Sequence, residues 1–556
     1  MSLLFKPIFL ANSVIFPYSI HPFDICSKIP VAWKYIKLLY LICFVFSSII
    51  IFNSIYSLIF KKRFSNVKKL RFSKSNKLDS SLNLFIGNSS TDNVPIFLSE
   101  KALYQNFLIT GTIGTGKTSS AMYPFCKQLI NYNFHNPDNK LGLLILDVKG
   151  NFYKQVVEFC KSSHRLDDLI VLSLDGNIKY NPLDKPHLKP HVLANRLKEI
   201  LLLFSPNNSE SYWLDIVELA IAEAIKICRL YNNGYVTFLE LHNLLTHNSY
   251  YLEKISILRC LFLDGKLSKS EVYDLLSAIK FFEYDFYCLD DKILSTLKSE
   301  ISRITNIFIS DYDILNTFCP EKADINFYGF EDVIKNGKIV VLNMNISEYK
   351  NLSKIIAAYL KLDFQSEILL QLSKGNIRTT AFVCDEYHEY VTCSDADFFA
   401  QSREAKSINI VATQSYTSLI NSLKNQYAAK VIIQNLVNKL WFRTDDTFTI
   451  EEAQKQIGKE DKIKISKSVA ENAQKTFYNY FTNSLNSQNS NISESISSHV
   501  NTEFKFDFNF FSCNLETFSC LSFLSDGKAI IPPQKLKMKP YFDKSNFPKS
   551  NKYKII

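Results

Sequence analysis

Gly111-Thr112-Ile113-Gly114-Thr115-Gly116-Lys117-Thr118 fits the G-x-x-x-x-G-K-[ST] phosphate-binding loop and follows the apolar run Asn106-Phe107-Leu108-Ile109-Thr110. Glycine is scarce, 14 among 556 residues, yet three stand within six positions here. At such positions the backbone must turn tightly and aim its N–H groups at phosphate oxygens. Lys117 would reach the β- and γ-phosphates, Thr118 would give its hydroxyl to Mg2+, and the helix opening there would add the positive end of its dipole. Strand before and helix after the loop are what the mechanism requires, and the chain reads as a nucleotide binder. The alternative is a glycine-rich turn that binds nothing.

The rest of the composition sets bounds. With 47% hydrophobic and 14% aromatic residues over 556 positions, two or three globular units are expected and pervasive disorder is excluded. Twelve cysteines are scattered singly, at Cys26, Cys126, Cys160, Cys260 and Cys384 among others, with no C-x-x-C pair. That pattern argues against a zinc site and for a reducing compartment in which the thiols act as small buried hydrophobes. The formal charge of +10 is a weak pointer to an anionic partner on so long a chain.

Leu38 to Phe60 (LLYLICFVFSSIIIFNSIYSLIF) carries no charged residue over 23 positions, enough helix to cross a hydrocarbon layer of about 30 Å. It reads as a transmembrane helix; a buried soluble helix is the other reading. Lys61, Lys62, Arg63, Lys68, Lys69, Arg71, Lys74 and Lys77 follow it, against Lys28, Lys34 and Lys37 before it, which puts the large C-terminal portion in the cytoplasm. The segment is too long and too far from the start for a signal peptide. Pro7 to Phe23, uncharged but broken by prolines, leaves open a second membrane segment or a short outside arm.

The chain then divides by pattern. Residues 1–37 form the arm, 38–60 the membrane helix and 61–80 a basic linker. Residues 81–230 open an α/β domain that 329–465 complete. Leu143–Asp147, Leu169–Ser173, Lys338–Leu342, Thr380–Cys384 and Ile408–Ala412 are apolar runs without alternation, as in strands of a sheet covered on both faces. Between them, 231–328 has long Leu/Ile/Lys/Glu stretches and no convincing strand, and reads as an all-α insertion. Residues 466–502 are Asn/Ser-rich and read as a flexible excursion or linker. Residues 503–533 hold a returning helix and strand, with Phe518 to Ile531 its apolar part. The end, 534–556, has seven lysines and one aspartate and reads first as a solvated tail, second as a nucleic-acid or lipid contact. There is no internal repeat.

Hydrolysis needs a metal-holding acid and a water-activating base beside the loop. Thr380-Ala381-Phe382-Val383-Cys384-Asp385-Glu386 supplies both at a strand end. Asp385 would orient the Mg2+ shell and Glu386 would polarise the attacking water; otherwise the two acids simply cap a following helix. Gln414, after Ile408–Thr413, is placed to sense the γ-phosphate or the lytic water, or else caps a turn. Arg403, on the presumed preceding helix, is either a surface cation or points at a neighbouring subunit's nucleotide, where it would neutralise transition-state charge.

The order of the pieces is informative. A membrane segment, G-x-x-x-x-G-K-T, LILD-x-KG (Leu144–Gly150), YNPL (Tyr180–Leu183), Tyr212-Trp213-Leu214, a helical insertion, GKIVVLN (Gly337–Asn343), FVCDE, SRE (Ser402–Glu404), ATQS (Ala412–Ser415), WFRT (Trp441–Thr444) and GKAII (Gly527–Ile531) together resemble the type IV secretion coupling proteins, the TraG/TraD group. The resemblance implies an α/β, RecA-like P-loop ATPase domain with an all-α insertion domain and an N-terminal transmembrane helix. It implies ATP and Mg2+ as cofactors and a homo-hexameric ring on the cytoplasmic face of a bacterial plasma (inner) membrane. Its implied partners are single-stranded DNA, a relaxase or protein substrate, and type IV secretion channel components. It assigns nucleotide and Mg2+ to Lys117 and Thr118, hydrolysis to Asp385 and Glu386, nucleotide sensing to Gln414 and the trans-acting cation to Arg403. The chain departs from the group in Asp147-Val148-Lys149-Gly150-Asn151, where the family has D-P-K-G-E, in having one clear membrane helix rather than two, and in its basic rather than acidic end. Two other readings use the same motifs: an FtsK/HerA-like double-stranded DNA translocase, and a membrane receptor that binds nucleotide without hydrolysing it.

Overall fold

The computed structural model describes residues 82–204, 211–375, 377–471, 476–479, 484–487 and 492–543, with isolated helical positions at 31, 34, 35 and 38. The expected membrane helix beyond Leu38, the basic linker and residues 544–556 lie outside the described residues. Among the described residues, no helix is long and apolar enough to cross a membrane. The chain divides into Met1–Asp79 and Ser80–Ile556, and the second unit contains the α/β domain.

Its strands are β1 (Asn83–Ser89), β2 (Pro95–Ser99), β3 (Phe107–Thr110), β4 (Gly142–Leu146), β5 (Leu169–Leu172), β6 (Ile339–Leu342), β7 (Thr380–Cys384), β8 (Ser407–Thr413), β9 (Asn438–Phe442), β10 (Lys459–Glu471), β11 (Thr476–Asn479), β12 (Ser484–Ser487), β13 (Ile492–Phe504), β14 (Ser519–Phe523) and β15 (Gln534–Lys537). Eleven of them form one sheet in the order β2-β1-β15-β14-β9-β3-β8-β7-β4-β6-β5. From β9 to β5 every pairing is parallel, while β14, β15, β1 and β2 extend it antiparallel. The apolar runs lack alternation because both faces are covered: in β4, Leu144 and Leu146 pack into one core, and Leu143 and Ile145 into the other.

A buried polar cluster fixes the register at the N-terminal end of the central strands. Asn106 donates to the carbonyls of Phe399 (3.0 Å) and Asn435 (3.1 Å) and accepts from Asn409 (2.7 Å) and Ser402 (3.0 Å). These side chains would be costly to bury unpaired, so only one strand alignment satisfies them all. Ser402, from the SRE segment, therefore has a structural partner.

From 231 to 328 the described residues form helices and no strand. The earlier helix Ser211–Tyr231 packs with them, and Pro190–Phe204 packs on Ser211–Tyr231 and on the helix Asn351–Lys374, so the helical packing extends back to residue 190. The YNPL segment joins this helical body to the sheet domain. Asn181 donates to the Val236 carbonyl at 2.8 Å, the Pro182 carbonyl accepts from the Tyr359 hydroxyl at 3.0 Å, and the Tyr180 hydroxyl donates to Asp363. Asp363, fully buried on the helix Asn351–Lys374, also meets Arg196 at 2.7 Å and Lys185 at 3.2 Å. Burial alone would raise the Asp363 carboxyl, but Lys185 and Arg196 hold it below its ordinary value.

Two stretches differ from the sequence-based expectation. Residues 466–502, expected as a flexible polar linker, belong largely to a ribbon in which β10 and β13 pair antiparallel from Lys459↔Phe504 to Glu471↔Ile492, with β11 and β12 forming a second hairpin. Among its described side chains the ribbon has no buried face: Ile463, Ile465, Ile496 and Val500 are 64–70% exposed, and so few apolar residues among Ser, Lys and Asn read as a linker. Residues 534–537, expected in the solvated tail, form β15 inside the main sheet between β1 and β14. The piece before it supplies strand β14 but no helix within Phe518–Ile531.

Asp363→Ala would leave Lys185 and Arg196 buried without their counter-charge. It is expected to destabilise the chain by about 3–5 kcal/mol, read as a lowered unfolding midpoint of the full chain. An unchanged midpoint would show that the joint is not held by this charge cluster.

Candidate active site

The parallel strands place their C-terminal ends along one edge of the sheet, where the crevice of an open α/β sheet lies. β3 delivers the loop Gly111–Thr118, β4 delivers Asp147, β7 delivers Asp385 and Glu386, and β8 delivers Gln414. β8 lies between β3 and β7, with Thr110↔Thr413 and Cys384↔Val411 in register, and this brings segments far apart in sequence together.

The loop is held by its neighbours through backbone groups. The Gly111 N–H donates to the Gln414 carbonyl at 3.2 Å. Thr112 donates to the Arg443 carbonyl through its N–H (2.9 Å) and its hydroxyl (3.1 Å), so the WFRT segment is a cradle for the loop. The Phe518 N–H donates to the Thr115 carbonyl at 3.1 Å, and a Cβ on Gly116 (φ +94°) would stand 2.5 Å from the Phe518 ring. Gly116 is thus required by both its conformation and its space. After Thr118 the chain makes a π-helical turn to Met122 and continues as the helix Tyr123–Asn131.

Lys117 is buried, with its ammonium folded onto the carbonyls of Gly111 and Thr112, the latter at 3.2 Å. Burial lowers its pKa, opposed by the nearby Glu386 and Asp385 carboxylates. The Thr118 hydroxyl donates to Asp385 Oδ2 at 2.6 Å. Burial pushes the Asp385 carboxyl up to about 6; the Thr118 hydrogen bond opposes this, and the charges of Asp147 and Glu386 add to it. The Thr118 hydroxyl and the Asp385 carboxylate form the oxygen pair that a hard divalent cation takes.

Glu386 sits in the left-handed region (φ 49°, ψ 46°), which is uncommon for a residue other than glycine, asparagine or aspartate. There its carboxylate meets Lys149 Nζ at 3.5 Å, Gln414 Nε2 at 3.4 Å and His388 Nδ1 at 3.8 Å. The following turn is anchored below. Asp395 accepts from the Tyr387 hydroxyl at 2.5 Å, the Thr392 N–H at 2.9 Å, Gln365 at 2.8 Å and Lys361 at 2.6 Å. Asp395 and Lys361 are fully buried, so the turn that carries Glu386 stands on a desolvated ion pair.

These residues surround a cavity of about 360 Å3, lined by residues 112–119, Tyr123, Asp147, Lys149, Asn151, Asp385, Glu386 and Tyr541. The loop, Asp385, Glu386 and Gln414 therefore come together at one place. Arg403 does not: it is exposed, is not among the lining residues, and lies in the turn after the helix Asp395–Gln401 rather than on the preceding helix as expected. Asp147 has a structural task, accepting from the N–H groups of Lys149, Asn151 and Phe152 at 3.1 Å each and so holding the start of the helix Phe152–Ser162. His388 and Tyr541 were not singled out from the sequence. His388 could have been found as the second residue after Cys384-Asp385-Glu386. Tyr541 lay hidden among tail lysines.

Residues 379–501 match the family model TraG-D_C, described as the TraM recognition site of TraD and TraG. Among proteins of curated function none matches the sequence. The structure is similar to that of the plasmid coupling protein TrwB in complex with ADP and Mg2+, with a TM-score of 0.53 at 13% identity over 84% of this chain and 92% of that one. It is also similar to an unbound form of the bacterial conjugative coupling protein TrwBdeltaN70, with a TM-score of 0.52 at 12% identity over 82% of this chain and 88% of the other. The resemblance to TraG/TraD-type coupling proteins read from the sequence thus holds: residues 379–501 match the TraG/TraD family model, and the chain shares the α/β fold of TrwB.

Proposed function

We propose that the chain is a membrane-anchored coupling ATPase that recruits relaxase-bound single-stranded DNA, protein substrates or both, and drives them into a type IV secretion or conjugation channel. The observation that carries this reading is the convergence of Thr118, Asp385, Glu386 and Gln414 around a braced phosphate loop. A receptor that only docks substrate has no need of a carboxylate poised beyond the metal-binding pair. The similarity to TrwB, and the description of the 379–501 family as a recognition site in TraD and TraG, point to conjugative transfer rather than chromosome pumping.

In this mechanism the N–H groups of residues 113–118 would hold the phosphates of ATP, and Lys117 would leave the Gly111 and Thr112 carbonyls to meet them. Thr118 and Asp385 would hold Mg2+, which supplies charge neutralisation at the β- and γ-phosphates. Glu386 orients the attacking water and takes its proton. Gln414, bonded to Glu386, relates that carboxylate to the state of the γ-phosphate. Arg403 is exposed and away from its own cavity, as a cation offered to the next subunit of a homo-hexameric ring would be. The uncharged stretch 38–60 anchors the ring to the bacterial inner membrane, with the bulk of the chain in the cytoplasm.

The first test is ATP turnover by the full chain with and without single-stranded DNA. Lys117→Ala is expected to abolish turnover by weakening nucleotide binding. Glu386→Gln is expected to retain nucleotide while slowing turnover by about 10²–10⁴-fold. Absence of turnover in the wild-type chain under conditions of ring assembly would overturn the motor reading.

Acid should weaken the site. Because Asp385 holds its proton up to about pH 6, a divalent cation must displace that proton below this pH. Mg2+-dependent nucleotide binding is expected to be flat above pH 6 and to fall by about tenfold per pH unit below it. Asp385→Asn should remove this break, which titration calorimetry across the range would detect. Arg403→Ala is expected to slow turnover by about 10³-fold in the assembled ring while leaving nucleotide binding intact; an equal loss of binding would place Arg403 in a structural role.

A further inference from the structure

Beyond the phosphate and metal ligands, the cavity has a second kind of wall. Its lining includes two aromatic side chains, Tyr123 on the helix after the loop and Tyr541 near the C-terminal end of the described chain. The segment holding Tyr541 is not a loose tail here. It leaves β15, the Met538 N–H donates to the Phe518 carbonyl at 2.7 Å, and the Tyr541 N–H donates to the Ser119 carbonyl at 2.8 Å. Phe518 is itself bonded to the loop at Thr115. The strap is therefore pinned at Tyr541 to the first turn after the phosphate loop and at Met538, through Phe518, to the loop itself.

The Tyr541 ring is positioned as well as the backbone. It meets Tyr123 edge to face at 5.0 Å and Phe542 at 5.5 Å, and is only partly buried, which leaves part of its surface open. Tyr123 is backed in turn by Phe152 at 4.7 Å. The Tyr123 ring is thus held edge to face between Phe152 and Tyr541 and is taken up by these aromatic neighbours. Tyr541, on the strap, is the aromatic surface left for the portion of a nucleotide that extends beyond the phosphates. That portion is a ribose and a flat, poorly hydrated base.

We propose that Tyr541 is the stacking platform for the nucleobase, so that the C-terminal strap completes the nucleotide site. This rests on the reading of the loop as a nucleotide site and adds the residue that distinguishes a nucleoside triphosphate from a bare polyphosphate. Stacking of a base on an aromatic side chain is worth about 1–3 kcal/mol, or roughly a tenfold to hundredfold change in affinity. It tolerates any aromatic ring at the position and is indifferent to the phosphate chain.

The test is calorimetric titration of the solubilised full chain with MgATP and, separately, with magnesium tripolyphosphate. Tyr541→Ala is expected to weaken MgATP at least about tenfold and to leave tripolyphosphate unchanged, while Tyr541→Phe keeps both. If Tyr541→Ala weakens both ligands alike, or neither, stacking is overturned while the nucleotide site stands. Lys117→Ala separates the two readings: a wild-type chain that binds neither ligand, or a Lys117→Ala variant that binds both undiminished, removes the nucleotide site and the stacking role with it.

Discussion

The parallel pairing of β8 with both β3 and β7 is the constraint on which the site depends. A phosphate loop and a pair of acids separated by 267 residues have no local reason to meet, yet Thr118 and Asp385 are hydrogen bonded at 2.6 Å. β8 enforces the meeting by pairing with one strand on each side, so that the ends of all three open on the same edge. The Asn106 cluster at the opposite end removes the freedom to slip, since a shift of one residue would leave several buried amides and hydroxyls unpaired. The precision at the nucleotide end is thus set by hydrogen bonds at the far end of the strands.

Much of this was legible in the sequence, and for physical reasons. Doubly covered strands are apolar at every position, so β4, β6, β7 and β8 announced themselves as runs. The chemistry sat at their ends, where glycine, acid and amide residues interrupt those runs. What escaped notice had no such contrast. In the β10–β13 ribbon the described side chains are exposed or half-exposed, and Ile463, Ile465, Ile496 and Val500 are scattered among Ser, Lys and Asn. β15 buries Leu536 while its lysines face outward, and one apolar residue among lysines is indistinguishable from a tail. Asp147 ends a strand as Asp385 does, but its lone pairs are used by three N–H groups of its own turn. No motif encodes which of those uses prevails.

The helix Asn351–Lys374 binds the parts of the domain together through charges on different faces. Lys361 reaches Asp395 beneath the turn that carries Glu386. Asp363, two residues on and so roughly on the opposite face, takes Lys185, Arg196 and Tyr180 at the joint with the helical body. All of these are desolvated, and burial makes such pairs costly to break singly although they add little over a well-packed apolar contact. Their effect is therefore on geometry more than on stability. Separating Asp363 from Lys185 or Arg196 would leave a buried charge without its partner. One helix thus carries both the buried charge at the joint with the helical body and the buried charge beneath the turn of Glu386.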